Sequence, residues 1–292
     1  MIRNLFPGAA ERPARAAFFM SGSGTNAEAL LRYHAAVPGC RFVPALIVTD
    51  APETGRAREI AMQWKIPLAE LDIRAFYAAR GEEAISLVSE RRRAIRAEWT
   101  EALRRLIAPW NIDFGVLAGF IPLCNIAADM PCLNVHPGDL TCEVDGRRIL
   151  AGLHYRPVET AILAGHPTLR SSVILAQPFE GSGEAEMDSG PVLGVSVPMP
   201  VELDGETVES LEHVRVARTR APYRDRLREV AEANLERLKF CGDHIVLPRT
   251  ADDFAAGRFG LEHGRLRFRN DDGEWTSVRT VEYGPAGRRL LA

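Results

Sequence analysis

Three short stretches bring together residue types that can do chemistry. Asn134-Val135-His136-Pro137 closes an apolar segment, and in extended backbone its Asn and His share one face because side chains alternate. An Asn amide can donate a hydrogen bond to a developing oxyanion, and an imidazole can move a proton near neutral pH. Asp188-Ser189-Gly190-Pro191 offers a carboxylate in a tight turn ahead of the apolar run at 192–197. Ser21, Gly22, Ser23, Gly24, Thr25 and Asn26 form a glycine-rich loop directly after an apolar run. Such a loop can cradle an anion: its glycines let the backbone come close, and a following helix start supplies free N–H groups. It is neither the dinucleotide fingerprint nor the P-loop, since the third glycine and the Lys are absent. Taken singly, each stretch also has an ordinary reading: a packing turn, a core histidine, a turn aspartate bonded to its own backbone.

The elements that must position these residues alternate. Residues 16–20, 42–49, 66–71, 113–120, 130–135, 172–177 and 192–201 read as strands, the first two as short buried runs. Residues 27–33, 53–64 and 156–165 carry helical periodicity. Segment 80–108, rich in Glu, Arg, Ala and Leu, reads as a long helix with Ile95, Trp99 and Leu103 on its buried stripe. Its Arg91-Arg92-Arg93 reads as a solvated face. Residues 206–240 are mostly helical with Pro222 interrupting, and Asp271-Asp272-Gly273 marks a hairpin in the tail. Strand and helix in alternation predict an α/β fold: a Rossmann-like, mostly parallel sheet flanked by helices, with a small C-terminal helix and β-hairpin. The expected divisions are a loose N-terminal arm at 1–15, a catalytic domain at 16–205, and an appendage at 206–292 packed on the same domain.

Composition narrows the function. The chain has 292 residues with a formal net charge of −3, so it presents no basic field for a nucleic-acid backbone. No apolar run approaches the ~20 residues of a membrane span, and no signal-peptide core opens the chain. Five widely spaced cysteines suit reduced thiols in a cytoplasmic protein better than a disulfide frame. Cys132, His136 and Cys142 fit no zinc spacing, so no metal is expected. The partners expected are small molecules, with neither nucleic acid nor membrane among them; a homodimer is compatible with this reading.

In order and spacing, the three stretches together resemble the folate-dependent formyltransferases, above all those acting on glycinamide ribonucleotide in purine synthesis. The family's glycine-rich loop after the first strand is matched by residues 21–26. Its AGF strand is matched by Leu117-Ala118-Gly119-Phe120, its N-x-H-P by Asn134 to Pro137, and its D-x-G-P turn by Asp188 to Pro191. Gly152-Leu153-His154, Ser171-Ser172-Val173 and the tail from His244 through Trp275 resemble further family stretches, so the likeness covers about residues 16–285.

The resemblance implies the formyltransferase fold and transfer of a formyl group from 10-formyltetrahydrofolate, as co-substrate, to a primary amine. It makes Asn134, His136 and Asp188 the catalytic trio and gives residues 21–26 the phosphate of the acceptor. It places Phe120, Ile121, Pro122 and Leu123 in the folate pocket, Arg80 near the folate tail, and Asp243 and Ser172 against the acceptor. The departures are local. Gly138-Asp139-Leu140-Thr141-Cys142-Glu143 replaces a nearly fixed family loop, and about six extra residues precede Gly152. The loop before Asp188 is longer through 181–186, segment 80–108 carries an insertion, and the family's Met-Arg after AGF is Ile121-Pro122. Rival readings are another acceptor (an amino-sugar nucleotide or small amine), hydrolysis of formyltetrahydrofolate, and a folate- or nucleotide-binding module that has lost catalysis.

Overall fold

Strand β1 (Ala14–Met20) shows how a two-faced core is specified. Its side chains alternate: Ala16, Phe18 and Met20 enter one hydrophobic cluster, Ala17 and Phe19 the other. A strand buried on both sides needs helices on both sides. Helix α1 (Thr25–Ala36) packs Leu30 and Leu31 into the first cluster. Strand β2 (Phe42–Thr49), helix α2 (Ala57–Trp64), strand β3 (Leu68–Glu70) and helix α3 (Ile73–Ala78) follow. Helix α4 (Glu90–Ile107) packs Ile95, Trp99 and Leu103 into the second cluster. The computed structural model describes residues 1–8, 12–180, 188–218 and 223–292. The long stretch expected before Asp188 and the interruption expected at Pro222 lie outside them.

Strands β4 (Phe114–Leu117) and β5 (Cys132–His136), helix α5 (Arg156–Leu163), and strands β6 (Ser172–Leu175) and β7 (Val192–Ser196) complete the centre. Helices α6 (Val208–Val216), α7 (Arg226–Leu238) and α8 (His244–Ala255) lead to strands β8 (Phe259–Glu262), β9 (Arg265–Arg269) and β10 (Trp275–Ser277). The chain closes with β11 (Thr280–Gly284) and β12 (Gly287–Leu291). The central sheet runs β12-β11-β7-β6-β5-β4-β1-β2-β3. Its pairs are parallel from β5 through β3 and between β7 and β11, and antiparallel at β5–β6, β6–β7 and β11–β12. It is therefore a mixed, mostly parallel α/β sheet flanked by helices, as the alternation predicts.

Four expectations need correction. The helix expected over 80–108 begins only at Glu90, where the Ser89 side chain accepts the Arg92 N–H as an N-cap. Arg91 and Arg92 pair with Glu82, and Arg93 donates to the Leu87 carbonyl. These arginines hold the preceding segment rather than merely facing solvent.

The N-terminal arm is docked, not loose. Arg3 and Asn4 pair antiparallel with Leu261 and Gly260, and Phe6 stacks on Phe254 at 5.3 Å. Nor is the tail only a hairpin. β8, β9 and β10 form a meander, while β11, buried along its whole length, joins the central sheet beside β7. Tyr283 and Arg288 both bond to Asp253 on α8, which fastens this edge to the body.

Candidate active site

The carboxyl ends of β1, β4 and β5 lie side by side, where open α/β sheets place ligands. On β5, Cys132 faces the second core cluster and Leu133 the first. Asn134 and His136 therefore share one face, as period two requires. Antiparallel β6 aligns Ile174 with Asn134 and Ser172 with His136. The Asn134 amide is half-buried and has no side-chain partner among the described residues. His136 is 3% exposed.

Both ring nitrogens of His136 face acceptors. Nδ1 lies 3.4 Å from Asp188 Oδ2, and Nε2 lies 2.7 Å from the Leu150 carbonyl. With Nε2–H donating to that carbonyl, Nδ1 meets the carboxylate across a position that holds one proton. Burial pushes the imidazolium below its ordinary value, against the opposing pull of Asp188 and the Leu150 carbonyl; Arg148 pushes it down further. Asp188 Oδ2 also accepts the Gly152 N–H at 3.1 Å.

The turn that delivers Asp188 has a steric cause. Asp188 has φ 56°, a left-handed conformation that Asp tolerates better than most residues. A Cβ on Gly190 would stand 1.8 Å from the Leu175 carbonyl oxygen, so only glycine lets the turn close against β6. The DSGP signature is thus a backbone requirement as well as a source of a carboxylate.

The glycine-rich loop is fixed from within. Ser21 Oγ donates to Asp50 Oδ1 at 2.5 Å and accepts the Ile121 N–H at 2.9 Å. The Ser21 hydroxyl therefore zips this loop to the one after β4 and is spent on that task. Gly24, at φ 68°, precedes α1, and a Cβ there would press on Met20 and Ile60 at 2.5 Å. A Cβ on Gly22 would meet nothing within 4 Å among the described residues, and Thr25 opens the helix. Asn26 Nδ2 reaches Asp243 Oδ2 at 3.3 Å, while Asn26 Oδ1 is buried without a partner among the described residues.

Asp243 ends a π-helical turn, Lys239–Asp243, a local widening that is frequent at functional sites. Its Oδ1 accepts from Ser171 Oγ at 2.5 Å. Burial pushes this carboxyl up to about 6, against hydrogen bonds from Ser171 and Asn26 that favour the charged form. It is Ser171, not Ser172, that meets Asp243. The Ser172 hydroxyl donates to the Gly138 carbonyl and accepts the Leu140 N–H, which anchors the segment after His136.

The residues expected around folate divide. Ile121 is 62% exposed, Pro122 is buried, and Phe120 packs edge-on to Phe19 and over Trp99. The Leu123 carbonyl accepts from Arg96 at 2.6 Å. Arg80 is occupied elsewhere, 2.7 Å from Glu98 and stacked over Phe76. Sequence reasoning missed a cavity of about 310 Å³ lined by Arg93, Arg96, Thr100, Arg104, Asn125 and Phe179. Arg104 pairs with Asp129. Arg93 and Arg96 bond only to carbonyls among the described residues, and Arg96 Nε is buried with no partner. Their spacing of three on α4 was the available signal, since it puts both on one helix face. No cluster of metal-ligating side chains occurs among the described residues.

The fold and the strand-end site define an α/β class in which three loops converge at the carboxyl edge of the sheet. Solved structures of that class are similar over nearly the whole chain. The phosphoribosylglycinamide formyltransferase of Coxiella burnetii matches with a TM-score of 0.59 at 18% identity, covering 93% of this chain and 100% of that one. Glycinamide ribonucleotide transformylase 1 of Symbiobacterium toebii matches with a TM-score of 0.56 at 22% identity, over 88% and 94%. The phosphoribosylglycinamide formyltransferase of Anaplasma phagocytophilum gives 0.53 at 19%, over 91% and 95%. No family model matches the sequence, and no curated protein does. The shared fold is that of these formyltransferases.

Proposed function

We propose that this protein transfers a formyl group from 10-formyltetrahydrofolate to a primary amine, carried by a phosphorylated acceptor such as glycinamide ribonucleotide. The observation that carries this reading is the constellation at the end of β5. His136 and Asp188 share one proton position at 3.4 Å, and the Asn134 amide, without a side-chain partner among the described residues, stands on the same strand face.

The chemistry follows from those groups. A neutral amine attacks the formyl carbon, and negative charge builds on the formyl oxygen, where Asn134 Nδ2 donates. The amine nitrogen must lose a proton and the departing folate nitrogen must gain one. The His136–Asp188 pair takes the first and returns the second. Because Leu150 occupies Nε2 and Asp188 faces Nδ1, His136 works through Asp188. The carboxylate has Oδ1 free among the described residues, and that oxygen is assigned the contact with the amine.

Backbone N–H groups of Gly22 to Thr25 are assigned the acceptor's phosphate, with Asp243 and Asn26 beside it. The folate lies along residues 120–123. Its acidic tail is assigned to Arg93 and Arg96 instead of Arg80, because among the described residues they lack carboxylate partners and line a cavity. The test is release of tetrahydrofolate in the presence of a panel of amines that includes glycinamide ribonucleotide. Release that requires an amine supports transfer. Release without one supports hydrolysis, and bound folate with no release supports a binding module.

A further inference from the structure

The segment between Gly138 and Gly152 is built against His136 and Asp188. Glu143–Val144 and Arg147–Arg148 form a small hairpin, closed by Asp145 and Gly146, both with positive φ. Beyond the hairpin, Leu150 supplies the carbonyl on His136 Nε2, and Gly152 supplies the N–H on Asp188 Oδ2. Arg148 completes the enclosure: its guanidinium donates to the backbone carbonyl of Asp188. Across the hairpin it lies 3.8 Å from Glu143, and its side chain is 19% exposed. A Cβ on Gly138 would meet the Leu150 carbonyl at 2.5 Å and His136 Nε2 at 2.9 Å, so the segment has no slack under the imidazole.

We propose that Arg148 is a positioning residue for formyl transfer, clamping the strained Asp188 turn so that its carboxylate stays on His136. This rests on the proposed function for its catalytic meaning, but the clamp itself can be read without turnover. Asp188 needs such a restraint. Its left-handed backbone costs energy that surrounding contacts must offset, and its carboxylate is useful only at one distance from the imidazole. A backbone carbonyl bound by a charged donor is a strong restraint.

Among the described residues two charged groups act on the His136 ring, Asp188 in favour of the imidazolium and Arg148 against it, with Asp188 the stronger. Glu143 faces Arg148 and acts on the ring only through it. If Arg148 is only a neighbouring charge, removing it raises the His136 titration midpoint. If it holds Asp188 in place, removing it releases the stronger influence and the midpoint falls.

The experiment uses the full chain with Arg148→Met and Arg148→Lys. NMR of the His136 ring nitrogens is read against pH, and kcat and KM are measured for formyl release. The clamp predicts a lower midpoint in Arg148→Met, kcat down about tenfold or more, and an unchanged KM for folate. In Arg148→Lys, which keeps a donor, kcat recovers to within about threefold. A midpoint that rises or stays put, or a kcat within twofold of the parent in Arg148→Met, overturns the proposal. Arg148→Ala is read by the same criteria if the Met variant does not fold, and failure of both to fold makes the role structural. A parent chain that transfers to no amine defeats the proposed function alone, because the titration still decides the clamp.

Discussion

At the scale of residues, side chains that stand together in short sequence motifs do distinct work. Asn134→Ala, His136→Ala and Asp188→Asn are each expected to lower kcat about a hundredfold or more without loss of fold, checked by steady-state kinetics beside near-UV circular dichroism. Asp243 gives a prediction of another kind. Its folded value is raised, to about 6 from the ordinary 3.8. Stability from its protonated form is therefore complete below pH 3.8 and is lost as pH rises through about 6. Asp243→Asn removes that loss. Asn26 can turn its Oδ1, which has no partner among the described residues, toward the new amide as an acceptor. The variant should match the parent near pH 3.8 and exceed it by roughly 1–3 kcal/mol above pH 7, measured by urea unfolding across that range. In the same variant KM for the acceptor should rise while KM for folate holds. A variant less stable than the parent at pH 7.5 would contradict the assignment.

At the scale of elements, the motifs were legible because they are backbone signatures. Gly190 must be glycine to pass the Leu175 carbonyl, and Gly24 opens α1 at φ 68°, where glycine carries no strain. Gly190→Ala should cost about 3 kcal/mol, and Gly22→Ala, in open space, about 0.5 kcal/mol or less. Urea midpoints of the two variants test the contrast, and equal effects would refute it. Side-chain partners were far less legible. Ser171 and Ser172 stand together in sequence, but strand alternation sends one to Asp243 and the other to Gly138 and Leu140. Arg80 and Arg96 both sit in an arginine-rich segment. Only the break before Glu90 decides which meets Glu98 and which reaches Leu123. The turn residues Asp145-Gly146 stand in the sequence, but the hairpin they close and its contact with Asp188 through Arg148 are seen only in the fold.

At the scale of the whole molecule, strand and helix alternation revealed the sheet, because β1 buries both faces and each face demands a helix. It could not reveal the ends. Arg3–Asn4 and the last two strands are short and joined to partners far along the chain. They carry no periodicity of their own that would announce it. Because β11 is fully buried beside β7, deleting residues 280–292 should leave a chain that does not fold, judged by cooperative unfolding and size-exclusion behaviour. A folded, monodisperse product would contradict this. The central claim concerns the site that this sheet assembles, and its most direct test is transfer of an isotopically labelled formyl group. Followed by NMR, label should move from 10-formyltetrahydrofolate to the nitrogen of an acceptor amine with the parent chain, and about a hundredfold more slowly with Asp188→Asn. Label that stays on folate with every amine, or moves equally fast in that variant, would contradict the account.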